Sequence, residues 1–174
     1  MLSRERGSFK TSADMLASLD FSVFDPERKN GYLMTQLPTK PVLTLAAAKA
    51  IAAAAENEAV KNECSVAIAI VDDSGRLLYF QRMDENANAS VDMALAKAVH
   101  AVHFRRPTKF HEELLDKGNM AVLGVPGMVP VEGGLLLYVG EQVVGAIGVS
   151  GARSSQDGIF AQAGERALQL YLSA

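Results

Sequence analysis

Apolar runs and the polar breaks between them divide most of the chain into alternating helical and extended segments. Thr44 is a suitable N-cap, and Leu45 to about Lys61 is dominated by alanine, so a helix is expected there, close-packed against a flat surface. Ser65 to Val71 is β-branched and apolar, Asp73-Ser74-Gly75 supplies turn chemistry, and Leu77 to Phe80 is apolar again; this pattern predicts a hairpin. From Ser90 to Phe104 the period changes to that of a helix. Val91, Ala94, Leu95, Ala98, Ala101 and Val102 form one stripe, which is the expected core face. Met93, Lys97, His100 and Phe104 form a narrower strip on the other side, expected to be covered by a ligand or another subunit.

Arg106-Pro107 should close that helix, because the residue before proline avoids the helical region, and Pro107 suits the start of a new one. Glu112 and Glu113 are expected near its positive end, with Gly118 stopping it. A loop rich in glycine and proline runs from Gly124 to Gly134. Strands are then expected at Leu135 to Val139 and Val143 to Val149, turning at Gly140-Glu141. Ser154-Ser155-Gln156-Asp157 reads as a capping box opening a last helix over about 156–172, with Phe160, Ala163, Ala167, Leu168 and Tyr171 on its buried face. Paired antiparallel strands with helices between the pairs predict an α+β fold, one antiparallel sheet flanked by helices. Residues 1–40 differ. They mix charge and turn residues with short apolar pieces (Phe21, Phe24, Tyr32, Leu33), and read as an N-terminal arm preceding a compact domain over 41–174.

Composition narrows the function classes. The 174 residues suffice for one domain with a real core, and 49% of them are apolar. A net charge of −3, few aromatics and no tryptophan argue against nucleic acid and anionic membrane as partners. Cys64 is the single cysteine and is expected to be a buried, inert thiol. The first ten residues lack the apolar run of a secretory signal, and no segment approaches the ~20 apolar residues of a membrane helix. A cytoplasmic protein is expected.

Two local features carry candidate chemistry. Arg105 and Arg106 lie at a helix end fixed by a proline, where two planar forks can meet a carboxylate or phosphate. The next helix offers free N–H groups and Thr108 a hydroxyl. The competing reading has one arginine answering the upstream helix carbonyls and the other bridging to Glu112 or Glu113. Glu132-Gly133-Gly134, a carboxylate before two glycines in an apolar stretch, is the second feature, with glycines that let backbone approach a ligand. A salt bridge from Glu132 to one of the arginines is expected. Gly145, Gly148 and Gly151 do not make a dinucleotide loop, since two of them fall inside a strand, where they suggest close packing of a helix or subunit. His100 and His103 share a helix, but no carboxylate or cysteine completes a metal set, so no metal is expected. His100 is the one candidate for an axial haem ligand.

Taken together, Val71-Asp72-Asp73-Ser74-Gly75, Arg82-Met83-Asp84, Phe104-Arg105-Arg106-Pro107-Thr108-Lys109, Pro130-Val131-Glu132-Gly133-Gly134, Gly145 to Gly151 and Gln156-Asp157-Gly158 resemble the GlcG/HbpS-like family over about Val42 to Leu170. The resemblance implies a profilin-like fold and a homo-oligomer. It also implies two competing functions. In one, the chain is a cofactor-independent lyase turning 4-hydroxylaminobenzoate into protocatechuate and ammonia; Arg105 or Arg106 holds the carboxylate of this small aromatic substrate and Glu132 is the general acid/base. In the other it is a cytoplasmic haem-binding protein without enzymatic activity, the same arginines gripping propionates and His100 a candidate ligand. Phe104, Thr108, Gly133, Gly134, Met93 and His100 complete the expected ligand-binding set. The missing signal peptide and the want of a convincing haem ligand tilt the expectation toward the lyase. An assembly module is the third reading.

Overall fold

A computed structural model describes residues 39–173, so the expected arm lies outside the described residues but for its last two positions. Thr44 caps the first helix, its side chain accepting from the Ala47 N–H at 3.2 Å, and α1 runs Leu45–Lys61. β1 (Ala67–Asp72) and β2 (Leu77–Arg82) form the expected hairpin, with Gly75 at φ +79° in its turn. α2 is Asn88–Phe104, α3 is Thr108–Asp116, and a 3-10 turn follows at Met120–Gly124. β3 (Gly134–Val139), β4 (Gln142–Ser150) and α4 (Ser154–Ser173) complete the described chain.

The strands form one antiparallel sheet in the order β2-β1-β4-β3, so β1 and β4 are central and β3 is an edge. Strand periodicity sends alternate residues to opposite faces. Ile68, Ile70, Leu137, Ile147 and Val149 pack with α1 and α4 on one side. Ala67, Ala69, Val71, Leu136 and Ala146 pack with α2 on the other. Both faces of β1 are therefore dry, which explains its unbroken apolar run. This is the α+β, profilin-like architecture expected from the sequence.

The α2 side is lined with small residues, and the helix sits low on the sheet. A Cβ added to Gly148 would collide with the Ala94 carbonyl and come within 2.6 Å of the Ala98 nitrogen. Only glycine admits the helix at that depth. The packing expectation for α2 holds for Ala94, Ala98, Ala101 and Val102, while Val91 and Leu95 are half-buried. Three expectations are corrected. The alanine helix α1 packs mainly along α4 and less on the sheet. Tyr171, in the last turn of α4, is exposed. Cys64 is half-buried, its thiol donating to the Asn62 carbonyl at 3.3 Å.

Candidate functional site

The arginine corner and the Glu132 loop are neighbours, joined by the first turns of α3. α2 ends at Phe104, and Arg105 takes the left-handed conformation (φ 52°, ψ 37°), its N–H bonding back into the last turn. Pro107 then caps α3 with extended backbone, so Thr108 enters the helix facing inward and is fully buried. Its Oγ1 accepts the Gly134 N–H at 2.9 Å. One turn on, the Glu112 carboxylate accepts the Glu132 N–H at 2.6 Å through one oxygen and the Ser154 hydroxyl at 2.9 Å through the other. A single carboxylate thus ties the loop to the start of α4. Glu112 serves this joint, five residues into its helix, and does not complement the helix N-terminus as expected.

The expected ion pair between Glu132 and an arginine is not formed. The partner is Lys109, Nζ to Oε1 at 3.2 Å, because α3 turns Lys109 toward the loop and leaves both arginines outside. Glu132 is buried, its carboxylate lying against the first turn of α4 where Gly158 leaves room; a Cβ there would sit 2.6 Å from the Glu132 Cδ. Gly133 has φ +130°, and a Cβ on it would meet the Val149 carbonyl at 2.6 Å and the Lys97 Nζ at 2.8 Å. A Cβ on Gly134 would strike the Lys97 carbonyl and the Thr108 methyl. These two glycines admit protein backbone and a lysine. Thr108 is likewise occupied with the loop.

Lys97 is 1% exposed, and its Nζ bonds Asp157 Oδ2 at 2.8 Å and the Val149 carbonyl at 3.0 Å. Asp157 also accepts the Ala152 N–H at 3.0 Å. Burial pushes the Asp157 carboxyl up, against the opposing pull of the Lys97 ammonium and the backbone N–H groups. The expected capping box is corrected accordingly: Ser154 lies within the helix and reaches Glu112, while Asp157 holds the buried lysine.

One turn further along α2, His100 is also 1% exposed. Its Nδ1 accepts the Val129 N–H at 2.8 Å, and its Nε2 lies 2.9 Å from Nδ1 of His111 on α3. Phe104 packs against both rings, at 4.8 and 5.6 Å between centroids, and Phe110 lies edge-on to His111 at 5.0 Å. Burial, then His111, lowers the His100 pKa to about 4. Burial, then the Arg106 guanidinium, lowers that of His111. With both ring nitrogens engaged, His100 is not available as a haem ligand in this structure, which corrects that expectation. The second strip of α2 is covered at Lys97 and His100 by the chain itself, and Met93, 37% exposed two turns from His100, stands apart from the aromatic cluster.

The arginines remain outside. Both are exposed, and among the described residues neither takes part in an ion pair. The Arg106 guanidinium stacks on Phe110, 4.4 Å from the ring centroid. Beside Pro107, a pocket of about 280 Å³ opens along edge strand β3, lined by Leu135, Leu136, Tyr138, Gln162 and Glu165. Among the described residues there is no cluster of metal-binding side chains, and no helix is long and apolar enough to cross a membrane.

His111, Ser154 and the Lys97–Asp157 pair are what sequence reasoning did not place at this site, and Glu112 entered it only as a partner for an arginine. Lys97 carried a signal: a lysine among alanines on a face expected to be covered requires a buried counter-charge.

The chain belongs to the HbpS-like family. The family model described as "Haem degrading protein HbpS-like" matches residues 43–166, which spans every element above from α1 into α4. Among curated proteins, the chain is 41% identical to "Protein GlcG" of Escherichia coli (strain K12) over 114 residues, covering 66% of this chain and 85% of that protein. Among solved structures, Klebsiella pneumoniae protein ORFY superposes with a TM-score of 0.73 at 32% identity, covering 79% of this chain and 98% of that one. A PduOC:heme complex gives 0.68 at 25% identity, covering 73% and 95%.

Proposed function

We propose that this chain binds a planar, largely apolar ligand bearing carboxylates, with haem the first candidate, and that Arg105 and Arg106 hold the carboxylates. The observation that carries this reading is the exposed arginine pair, without acidic partners among the described residues, beside the aromatic cluster of Phe104, His111 and Phe110. Guanidinium forks recognise carboxylates bidentately, and a ring face complements a flat apolar ligand. The family's description and the heme-bound PduOC structure support it. The residues fit the acidic edge of a haem; with His100 engaged, an axial ligand has to come from elsewhere. Adding hemin to purified protein should give a saturable Soret shift. The double variant Arg105→Ala/Arg106→Ala should weaken binding about tenfold or more, since each lost charged hydrogen bond costs ~1.5–3 kcal/mol. Undiminished binding by that variant rejects the arginine grip.

A second reading has one observation in its favour: the 280 Å³ pocket beside Pro107 suits a single-ring molecule and is too small to enclose a tetrapyrrole. On this reading the chain is the lyase that turns 4-hydroxylaminobenzoate and water into protocatechuate and ammonia, without cofactor; Glu132, expected as its acid/base, does not line this pocket, and Glu165 is the carboxylate that does. Ammonia release from that substrate tests it, and a folded, fully active Glu132→Gln protein would exclude Glu132. Self-association is part of both readings, and light scattering of the purified chain checks it.

A further inference from the structure

Val129 supplies a backbone N–H, which can only donate, so the His100 Nδ1 it meets at 2.8 Å must be unprotonated. A neutral His100 then carries its proton on Nε2. That proton faces His111 Nδ1 at 2.9 Å, so His111 must accept there and carry its own proton on Nε2. Two hydrogen bonds fix the direction of the whole chain, from the loop through α2 to α3. It ends at the surface: His111 is 8% exposed, and its Nε2 has no hydrogen-bond partner among the described residues yet is not among the fully buried unpartnered atoms. That end lies beside the arginine corner. The His111 ring meets the Phe110 ring on which Arg106 stacks, and the Arg106 charge is felt at His111.

We infer that His111 is a third anion-contacting group of the arginine corner, offering a carboxylate an Nε2–H whose position is set by His100 and the Val129 N–H. This rests on the reading that the corner binds carboxylates and adds to it a directed neutral donor. Arginine supplies charge and reach from exposed, mobile-length side chains, whereas the His111 ring is clamped by Phe104, Phe110 and His100. A donor aimed before the ligand arrives costs no ordering on binding. Its partner ring, His100, is a positioning residue that acts through His111.

Ring-nitrogen NMR of the full chain at pH 7 reads the proton positions directly. The expected result is His100 and His111 both protonated at Nε2 and bare at Nδ1, with His111 losing that preference in a His100→Leu variant, which has no N–H to donate. Metal-free protoporphyrin IX, and separately benzoate as the bare carboxylate, should then shift the His111 Nε2–H signal in step with binding. His111→Ala should weaken porphyrin binding about tenfold, and His111→Gln, whose amide places an N–H near the same point, should recover most of it. A His111 protonated at Nδ1, or a signal and an affinity unmoved while binding still requires the arginines, overturns this role alone. Absence of any binding by either probe removes the proposed function and this role together.

Discussion

Lys97 and His100 stand three residues apart on the same face of α2, each 1% exposed, and each reaches a partner on a later element. The lysine meets a carboxylate at the start of α4 and stays in an ion pair. The histidine meets a second histidine on α3 and a backbone N–H, and stays neutral. Two groups in equally dry surroundings therefore follow different routes, and the partner decides which. A lysine ammonium has donors and no acceptor, and its partners here are the Asp157 carboxylate and the Val149 carbonyl. An imidazole can give up its proton and still satisfy both nitrogens. Desolvation disfavours a charged imidazole, and the histidine meets it by giving up its proton.

The comparison breaks most severely at the ion pair. Asp157→Ala leaves the Lys97 ammonium buried without its carboxylate and should cost about 3–5 kcal/mol in denaturant unfolding, while Lys97→Met/Asp157→Ala together should cost far less, because no uncompensated charge remains. Equal losses in the single and double variants would mean that the pair holds the fold by shape alone.

Next comes pH. Folding lowers the His100 pKa from 6.5 to about 4, so between those values the unfolded chain binds more protons than the folded one. Stability should therefore fall as pH drops from about 6.5 toward 4, by roughly 2–3 kcal/mol, and the loss from this group should level off below that. The Asp157 carboxyl, raised by burial, works in the opposite direction, since the folded state takes up that proton first. Thermal melts across pH 4–7 measure the sum, and His100→Gln should flatten the curve. The smallest effect belongs to the half-exposed pair. Lys109→Ala removes the Glu132 ion pair but leaves the loop tied through Thr108 and Glu112, so it should change stability by less than about 1 kcal/mol.

The fold was legible because its signals are local and agree. The Thr44 cap, the Asp73-Ser74-Gly75 turn, the unbroken apolar run of β1 and the Arg106-Pro107 break each act over a few residues and point to one architecture. The site was legible only as an address. The arginine corner and the Glu132-Gly133-Gly134 loop do come together, but through Thr108, Lys109 and Glu112. Which of Arg105, Arg106 and Lys109 faces the loop depends on the left-handed turn at Arg105 and the entry angle of α3, and residue types do not encode those. His111 could not be joined to His100 for the same reason: eleven residues and a helix break separate them, and only the tertiary fold closes the gap.

Gly148 gives this arrangement a remote adjustment screw. The absence of a side chain there sets how deeply α2 is seated on β4, and Lys97 and His100 project from the same helix at fixed heights above that seat. Raising the helix by the thickness of one methyl group would draw both side chains away from Asp157, Val129 and His111 at once, although position 148 touches none of those partners. Selection on either polar pair is therefore felt at a strand residue with no chemistry of its own, and a variant there would pass for a packing defect while its effect was exerted on proton positions and buried charge.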